Sequence, residues 1–241
     1  MPCYIAFIDL MKAFDLVSQS RLFGPLEKIS CPPQLLAVIT SFHENMHITV
    51  CFNGTTSEAF PVSSGVKQGC VLAPTLFAIF FSMLLQFTFK VCSKGVYIHT
   101  RANGKLFSIA RLQAKTKVIE VLISELLFAD DAALISQTED GLQQLVCRLS
   151  LACKEFGLTF SLKKMNIIAQ DADSPPTIAI NGYNLEVVEN YTYLGSTISS
   201  SLSTDVEVNG RVAQAAAVIA RLNHRVWNNP NLSEKTKLHV Y

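Results

Sequence analysis

Few features constrain this chain as sharply as LLFADDAALI, residues 126–135, which sets Asp130 and Asp131 side by side between two apolar runs. Burying a carboxylate without a partner costs several kcal/mol (roughly 2–7 for a neutral polar group, more for a charge), and a like charge beside it adds to the penalty. Apolar runs on both sides predict two strands, with the pair at or beside the tip of their hairpin. Either of two surroundings makes such a tip tolerable: bulk water around a solvated turn, or a bound cation as counter-charge. A third carboxylate, Asp9, stands near the end of the apolar run YIAFIDL, residues 4–10. Three carboxylates on neighbouring strand ends would repel one another, and divalent cations would relieve that. Mg²⁺ takes hard oxygen ligands and keeps positions open for water and phosphate oxygens. Two such ions about 3.5–4 Å apart stabilise both the attacking and the leaving oxygen of a displacement.

The rest of the chain supports a packed core. Of 241 residues, 49% are hydrophobic and only 16% charged, which excludes wholesale disorder. A formal charge of +1 does not announce a nucleic-acid binder, although 101–117 and 211–241 are locally basic. Ordinary solvated surface accounts for most runs of that kind. Seven scattered cysteines form no C-x-x-C pair, so no zinc knuckle is indicated, and most read as buried thiols in a reducing compartment. The N-terminus lacks the order of a signal peptide, which predicts an intracellular protein, cytoplasmic or nuclear. Residues 69–89 are uncharged and long enough to suggest a membrane span, but Gly69, Pro74, Ser82 and Gln86 interrupt them; a helix buried on most sides is preferred, with no membrane partner.

Periodicity predicts a strand over 4–10 and helices from Ser20 to the CPP stop at 31–33 and from Gln34 to about His43. A hairpin of 47–52 and 57–62 should turn at Asn53-Gly54. After the loop 64–69 comes the apolar helix from Pro74, then short strands around Asn103-Gly104. Thr138 should cap a helix through Glu155 that buries Leu142, Leu145, Val146, Leu149 and Cys153 and ends at Gly157. Strands are expected over 159–168, 177–180 and 185–193. Asp205 should cap a last helix presenting Val208, Val212, Ala216, Ile219, Leu222 and Val226, weakened at Gly210 by about 1 kcal/mol. Hinges are expected at 174–176 and 196–204.

Three segments occur in order: FIDLMKAFD (7–15), SGVKQGCVLAP (64–74) and FADD (128–131). They closely resemble the three core motifs of reverse transcriptases of the non-LTR (LINE-like) retrotransposons. GLTFSLKK (157–164) is similar to that family's lysine-bearing motif and YLGS (193–196) to its primer grip, so the resemblance spans nearly the whole chain.

The resemblance implies an α+β right-hand polymerase: a palm whose antiparallel sheet has helices on one face, partial fingers, and the start of a helical thumb. The palm would be 1–173 with a fingers insertion at about 18–62, the primer-grip region 174–204, and an incomplete thumb 205–241. It also implies RNA-directed DNA polymerase activity with an RNA template, a DNA primer, a dNTP and two Mg²⁺ ions, or Mn²⁺ in their place. Asp9 and Asp130 would hold the metals, with Asp131 assisting. Phe14 would line the sugar pocket, where the plainer reading is core packing. Gln68 would contact the nucleotide, and Gly65 and Gly69 would permit close backbone approach, where the plainer reading is a turn. Lys164 would offset triphosphate charge, where the plainer reading is a surface lysine. Tyr193, Leu194 and Gly195 would brace the primer end, where the plainer reading is a strand and its turn.

Met165 departs from the threonine or small polar residue that usually follows the family's lysine. Both ends look cut, which predicts fingers, endonuclease and thumb segments on a longer parent protein and an apolar surface prone to self-association. A catalytically inactive remnant that binds RNA or protein is the alternative. HENMH (43–47) fits the H-E-x-x-H zinc pattern, but its second half is expected to leave the helix and separate the two imidazoles.

Overall fold

The computed structural model describes residues 2–67, 69–90, 94–101 and 118–240. The chain forms two compact units, Met1–Val187 and Val188–Tyr241.

The first unit opens with β1 (Cys3–Ile8) and helices α1 (Gln19–Lys28) and α2 (Pro33–His43). Four two-residue strands follow: β2 (His47–Ile48), β3 (Cys51–Phe52), β4 (Thr55–Thr56) and β5 (Phe60–Pro61). Then come α3 (Ala73–Phe89), β6 (Val96–Arg101), β7 (Val118–Ile123), β8 (Glu125–Phe128), β9 (Asp131–Ser136) and α4 (Glu139–Phe156). The unit closes with β10 (Asn166–Gln170), β11 (Ala179–Ile180), β12 (Tyr183–Asn184) and β13 (Glu186–Val187).

The main sheet runs β13-β10-β1-β9-β8. β1 lies at its centre, antiparallel to β10 and β9, so Ile5 faces Ile168 on one side and Ile135 on the other. As the central strand, β1 buries side chains on both faces: Ala6 and Ile8 join the main hydrophobic cluster, and Ile5 and Phe7, on the opposite face, are buried as well. The sheet is not wholly antiparallel: β13 pairs with β10 in parallel.

Helix α4 packs on β1 and β9, and α3 packs on α4. The Thr138 hydroxyl caps α4 by accepting from the Gly141 amide (3.0 Å), and Gly157 ends it at φ 77°. Its buried face holds Leu142, Leu145, Val146, Leu149 and Cys153, as the spacing predicts. α3 buries Leu76, Phe77, Phe80, Phe81, Leu84 and Leu85 in the protein interior, which explains its lack of charge. No helix among the described residues is long and apolar enough to cross a membrane.

Several expectations are corrected. The strand over 159–168 is confined to Asn166–Gln170, because 159–161 makes its backbone bonds to 9–11 instead. The span 185–193 divides into two strands, one in each unit. The hairpin at Asn53-Gly54 is present, with φ 50° and 77° at those residues, but its ladders are short and its strand side chains exposed, leaving no face to bury. Among the described cysteines only Cys153 is buried, and burial pushes its thiol up to about 12; Cys51 and Cys147 are exposed. The turn expected at Asn103-Gly104 lies outside the described residues.

The second unit holds a hairpin of β14 (Asn190–Tyr193) and β15 (Ser196–Ser199), then α5 (Asp205–Leu222), a π-helical turn (Asn223–Trp227) and α6 (Glu234–Val240). The cap of α5 is Thr204 rather than Asp205, which falls inside the first turn.

Candidate active site

The carboxylates gather where three strand ends meet. β8 and β9 are joined by a two-residue turn, Ala129-Asp130, closed by the pair Phe128↔Asp131. Ala129 has φ 54°, a left-handed conformation that costs a non-glycine residue roughly 1–2 kcal/mol. Along β1 the last partner pair is Ile8↔Ala132. One further step of that antiparallel register brings Asp9 level with Asp131. Partial burial raises the Asp131 carboxyl above the usual range, and the charges of Asp130 and then Asp9 raise it further. Asp131 thus lies within electrostatic reach of both Asp130 and Asp9. Asp131 is nonetheless exposed and Asp130 half-buried, and Leu126, Leu127 and Phe128 are exposed as well. The apolar flank before the pair therefore lies on an edge strand at the surface, and only Ala132, Ala133 and Leu134 after it enter the core.

Residues 159–164 run back beside the exit of β1. The Met11 amide donates to the Thr159 carbonyl (2.8 Å), and the Ser161 amide to the Asp9 carbonyl (2.9 Å). A turn in which the Lys164 amide donates to Ser161 (2.8 Å) brings the Lys164 ammonium to 3.5 Å from Asp9 Oδ2. Met165, the departure from the family pattern, is buried; its position faces the core, where an apolar side chain is favoured.

The loop after β1 is tied to the loop before α3. The Val66 amide donates to Phe14 (2.9 Å) and the Gly65 amide to Val17 (2.7 Å). Phe14 is half-buried, its ring stacked on Phe77 at 4.4 Å, so core packing is a role the structure gives it directly. Gly65 has φ 89°, and a Cβ there would meet the Asp15 carbonyl oxygen at 2.8 Å. Gly69 has φ 85° but open space around it. Of the two glycines, Gly65 is the more constrained, although both share the same motif. Gln68 lies outside the described residues.

In the second unit, Leu194-Gly195 forms the tight turn between β14 and β15, with φ 50° and 79°. Two positive φ values match a type I′ turn, and Leu194 occupies a position that glycine or asparagine normally takes. Spacing did not reveal what holds this hairpin. Glu207, in the first turn of α5, accepts from the Thr197 amide and from Arg211, and Arg211 donates to the Ser196 hydroxyl (2.9 Å). The Glu207/Arg211 spacing of four is legible as a helical pair; the reach back to β15 is not.

His43 ends α2, with Nδ1 against the Ile39 carbonyl, while His47 lies in β2, with Nδ1 against Asn45. The two imidazoles of the H-E-x-x-H pattern thus sit on different elements. Among the described residues no three His, Cys, Asp or Glu side chains close into a metal cage. Mg²⁺ rarely needs one, since one or two carboxylates with water and phosphate oxygens complete its octahedron. The all-oxygen donors of Asp9, Asp130 and Asp131 suit such a hard ion.

A family model described as "Reverse transcriptase (RNA-dependent DNA polymerase)" matches residues 1–198. The RNA-directed DNA polymerase from mobile element jockey of Drosophila melanogaster is 25% identical over 98% of this chain and 24% of its own length. Its Drosophila funebris counterpart is 28% identical, again over 98% of this chain and 24% of that protein. The Pol polyprotein from type-2 retrotransposable element R2DM is 28% identical over 60% of this chain and 12% of its own. The chain thus spans about a quarter of the length of the jockey relatives. Among solved structures, apo telomerase from Candida tropicalis, truncated from its C-terminal domain, superposes with a TM-score of 0.55 at 17% identity, covering 83% of this chain and 34% of that one. The likeness is one of fold: mixed α+β and polymerase-like.

Proposed function

Since the chain belongs to the reverse transcriptase family, we propose that it is the polymerase segment of a non-LTR retrotransposon protein, extending a DNA primer on an RNA template. The observation that supports this most directly is the convergence of Asp9 with Asp130 and Asp131 at one end of the main sheet. Residues 1–173 serve as palm, with about 18–62 as partial fingers, 174–204 as the primer-grip region and 205–241 as the start of a thumb.

Asp9 and Asp130 hold the divalent ions, Mg²⁺ or Mn²⁺, with Asp131 beside them. Bound there, the ions supply Lewis-acid stabilisation to a primer 3′-hydroxyl and to the departing pyrophosphate. Phe14 presents a flat ring that excludes a ribose 2′-hydroxyl, selecting deoxynucleotides. Gln68 and Gly69 contact the incoming nucleotide, and Lys164 sets a cation against its phosphates. Tyr193, Leu194 and Gly195 orient the primer end.

The test is extension of a template–primer by the purified chain with Mg²⁺ and dNTPs. Asp130→Ala should reduce extension by at least about a hundredfold, the upper end of the effect of outlying contacts around a metal. Salt-sensitive RNA binding by the wild-type chain without any extension would instead make it a non-catalytic RNA-binding remnant.

A further inference from the structure

The Asp9–Lys164 pair suggests more than a phosphate contact. Backbone bonds fix Lys164 from both directions: its amide donates to Ser161 (2.8 Å), and its carbonyl accepts from Asn166 Nδ2 (3.0 Å). Ser161 is itself bonded to the Asp9 carbonyl, and the next residue, Met165, is buried. The lysine backbone is thus anchored to the strand that leads into Asp9, while its side chain stays 73% exposed. Asp9, with a side chain only 32% exposed, is the partner on which the ammonium rests, at a sheet end that also holds Asp130 and Asp131.

We propose that Lys164 stands in for the divalent cation at Asp9 and is displaced when the ion binds, so that ion binding and release of the lysine toward an incoming anion form one linked event. The inference rests on reading the carboxylates as the cation site. Its physical basis is competition: two cations cannot both sit at full strength on one carboxylate, and the ion's apparent affinity falls by whatever the resident ion pair contributes. An exposed pair contributes little, which limits the effect to about two- to fivefold. It should be largest at low ionic strength, where exposed charges are least screened.

The measurement is Mn²⁺ binding to the whole chain without nucleotide, followed by electron paramagnetic resonance and titration calorimetry. Lys164→Met should tighten Mn²⁺ binding about two- to fivefold, Lys164→Arg should stay near wild type, and the gain should vanish in an Asp9→Asn background, as a double-mutant cycle requires. Unchanged or weaker binding in Lys164→Met, with binding weakened in Asp9→Asn, would overturn the displacement while leaving the cation site standing. Wild-type Mn²⁺ affinity in a folded Asp9→Asn variant would remove the cation site and this inference with it. Circular dichroism of each variant separates loss of binding from loss of fold.

Discussion

The two compact units are built from the same kinds of element yet held in different ways. Every buried hydrophobic residue among those described lies in Met1–Val187, most of them in one cluster joining β1, β9 and β10 to α3 and α4. In Val188–Tyr241 the one buried residue described is Ser199, and no residue of α5 is buried. That helix instead exposes Val206, Val208, Val212, Val218 and Ile219. The second unit is organised by polar contacts: Glu207 and Arg211 to β15, the Trp227 indole to the Ile219 carbonyl (3.0 Å), and the Lys237 ammonium to Trp227 (2.9 Å). Helical pattern is enough to draw a helix, but burial supplies most of a helix's stability.

The sharpest way to break this comparison is to remove methyl groups from each unit. Leu134 is completely buried on β9, and Leu134→Ala should cost about 2–5 kcal/mol in urea denaturation. Val212, exposed on α5, should cost under about 0.5 kcal/mol on the same change to alanine. Equal losses would mean that the apolar face of α5 is covered in solution, and the contrast between the units would fail.

The same division governs what the sequence disclosed. β1, the Thr138 cap, the α4 face and the Gly157 stop were readable because each depends on residues within one or two turns of one another. Strand length was not, because whether 159–161 joins the sheet depends on hydrogen bonds to Met11 and Asp9, far away in sequence. The parallel edge pair β10–β13 and the exposure of Cys51 and Cys147 are also tertiary outcomes. At the site, motif order pointed to Asp9, Asp130 and Lys164, whereas the Lys164–Asp9 contact and the Glu207–Thr197 bond emerged only from the fold.

Glycine replacement gives an intermediate effect of opposite sign in the two units. Gly65→Ala forces a Cβ to 2.8 Å from the Asp15 carbonyl oxygen at φ 89° and should destabilise the first unit by about 1–3 kcal/mol. Gly210 sits inside α5 with nothing within 4 Å of a Cβ, so Gly210→Ala should stabilise that helix by up to about 1 kcal/mol. Thermal melts and helical ellipticity read both changes. A Gly210→Ala variant that loses helix would show that α5 needs close approach by something at that face.

The smallest difference is in the response to pH, and its sign separates the units. The Thr197 amide holds the Glu207 carboxyl below the ordinary glutamate range, with Arg211 adding to the effect. Between that lowered value and the ordinary one, the unfolded chain binds more protons than the folded one. The hairpin–helix tie is therefore fully present above the ordinary range and lost as pH falls through the folded value. Asp131 is shifted the other way, by partial burial and then by Asp130 and Asp9. In its window the folded state binds more protons, so its unfavourable contribution grows as pH rises through the raised value. Asp131→Asn should accordingly stabilise the first unit near neutrality, by less than about 0.5 kcal/mol given its exposure to solvent, while weakening Mn²⁺ binding. Glu207→Gln should flatten the acid-side loss of protection at the Thr197 amide, followed by hydrogen exchange. Should Asp131→Asn destabilise the fold instead, the favourable contacts of the carboxylate at the hairpin would outweigh the repulsion, and the tip would be a structural joint rather than a site whose repulsion awaits a cation.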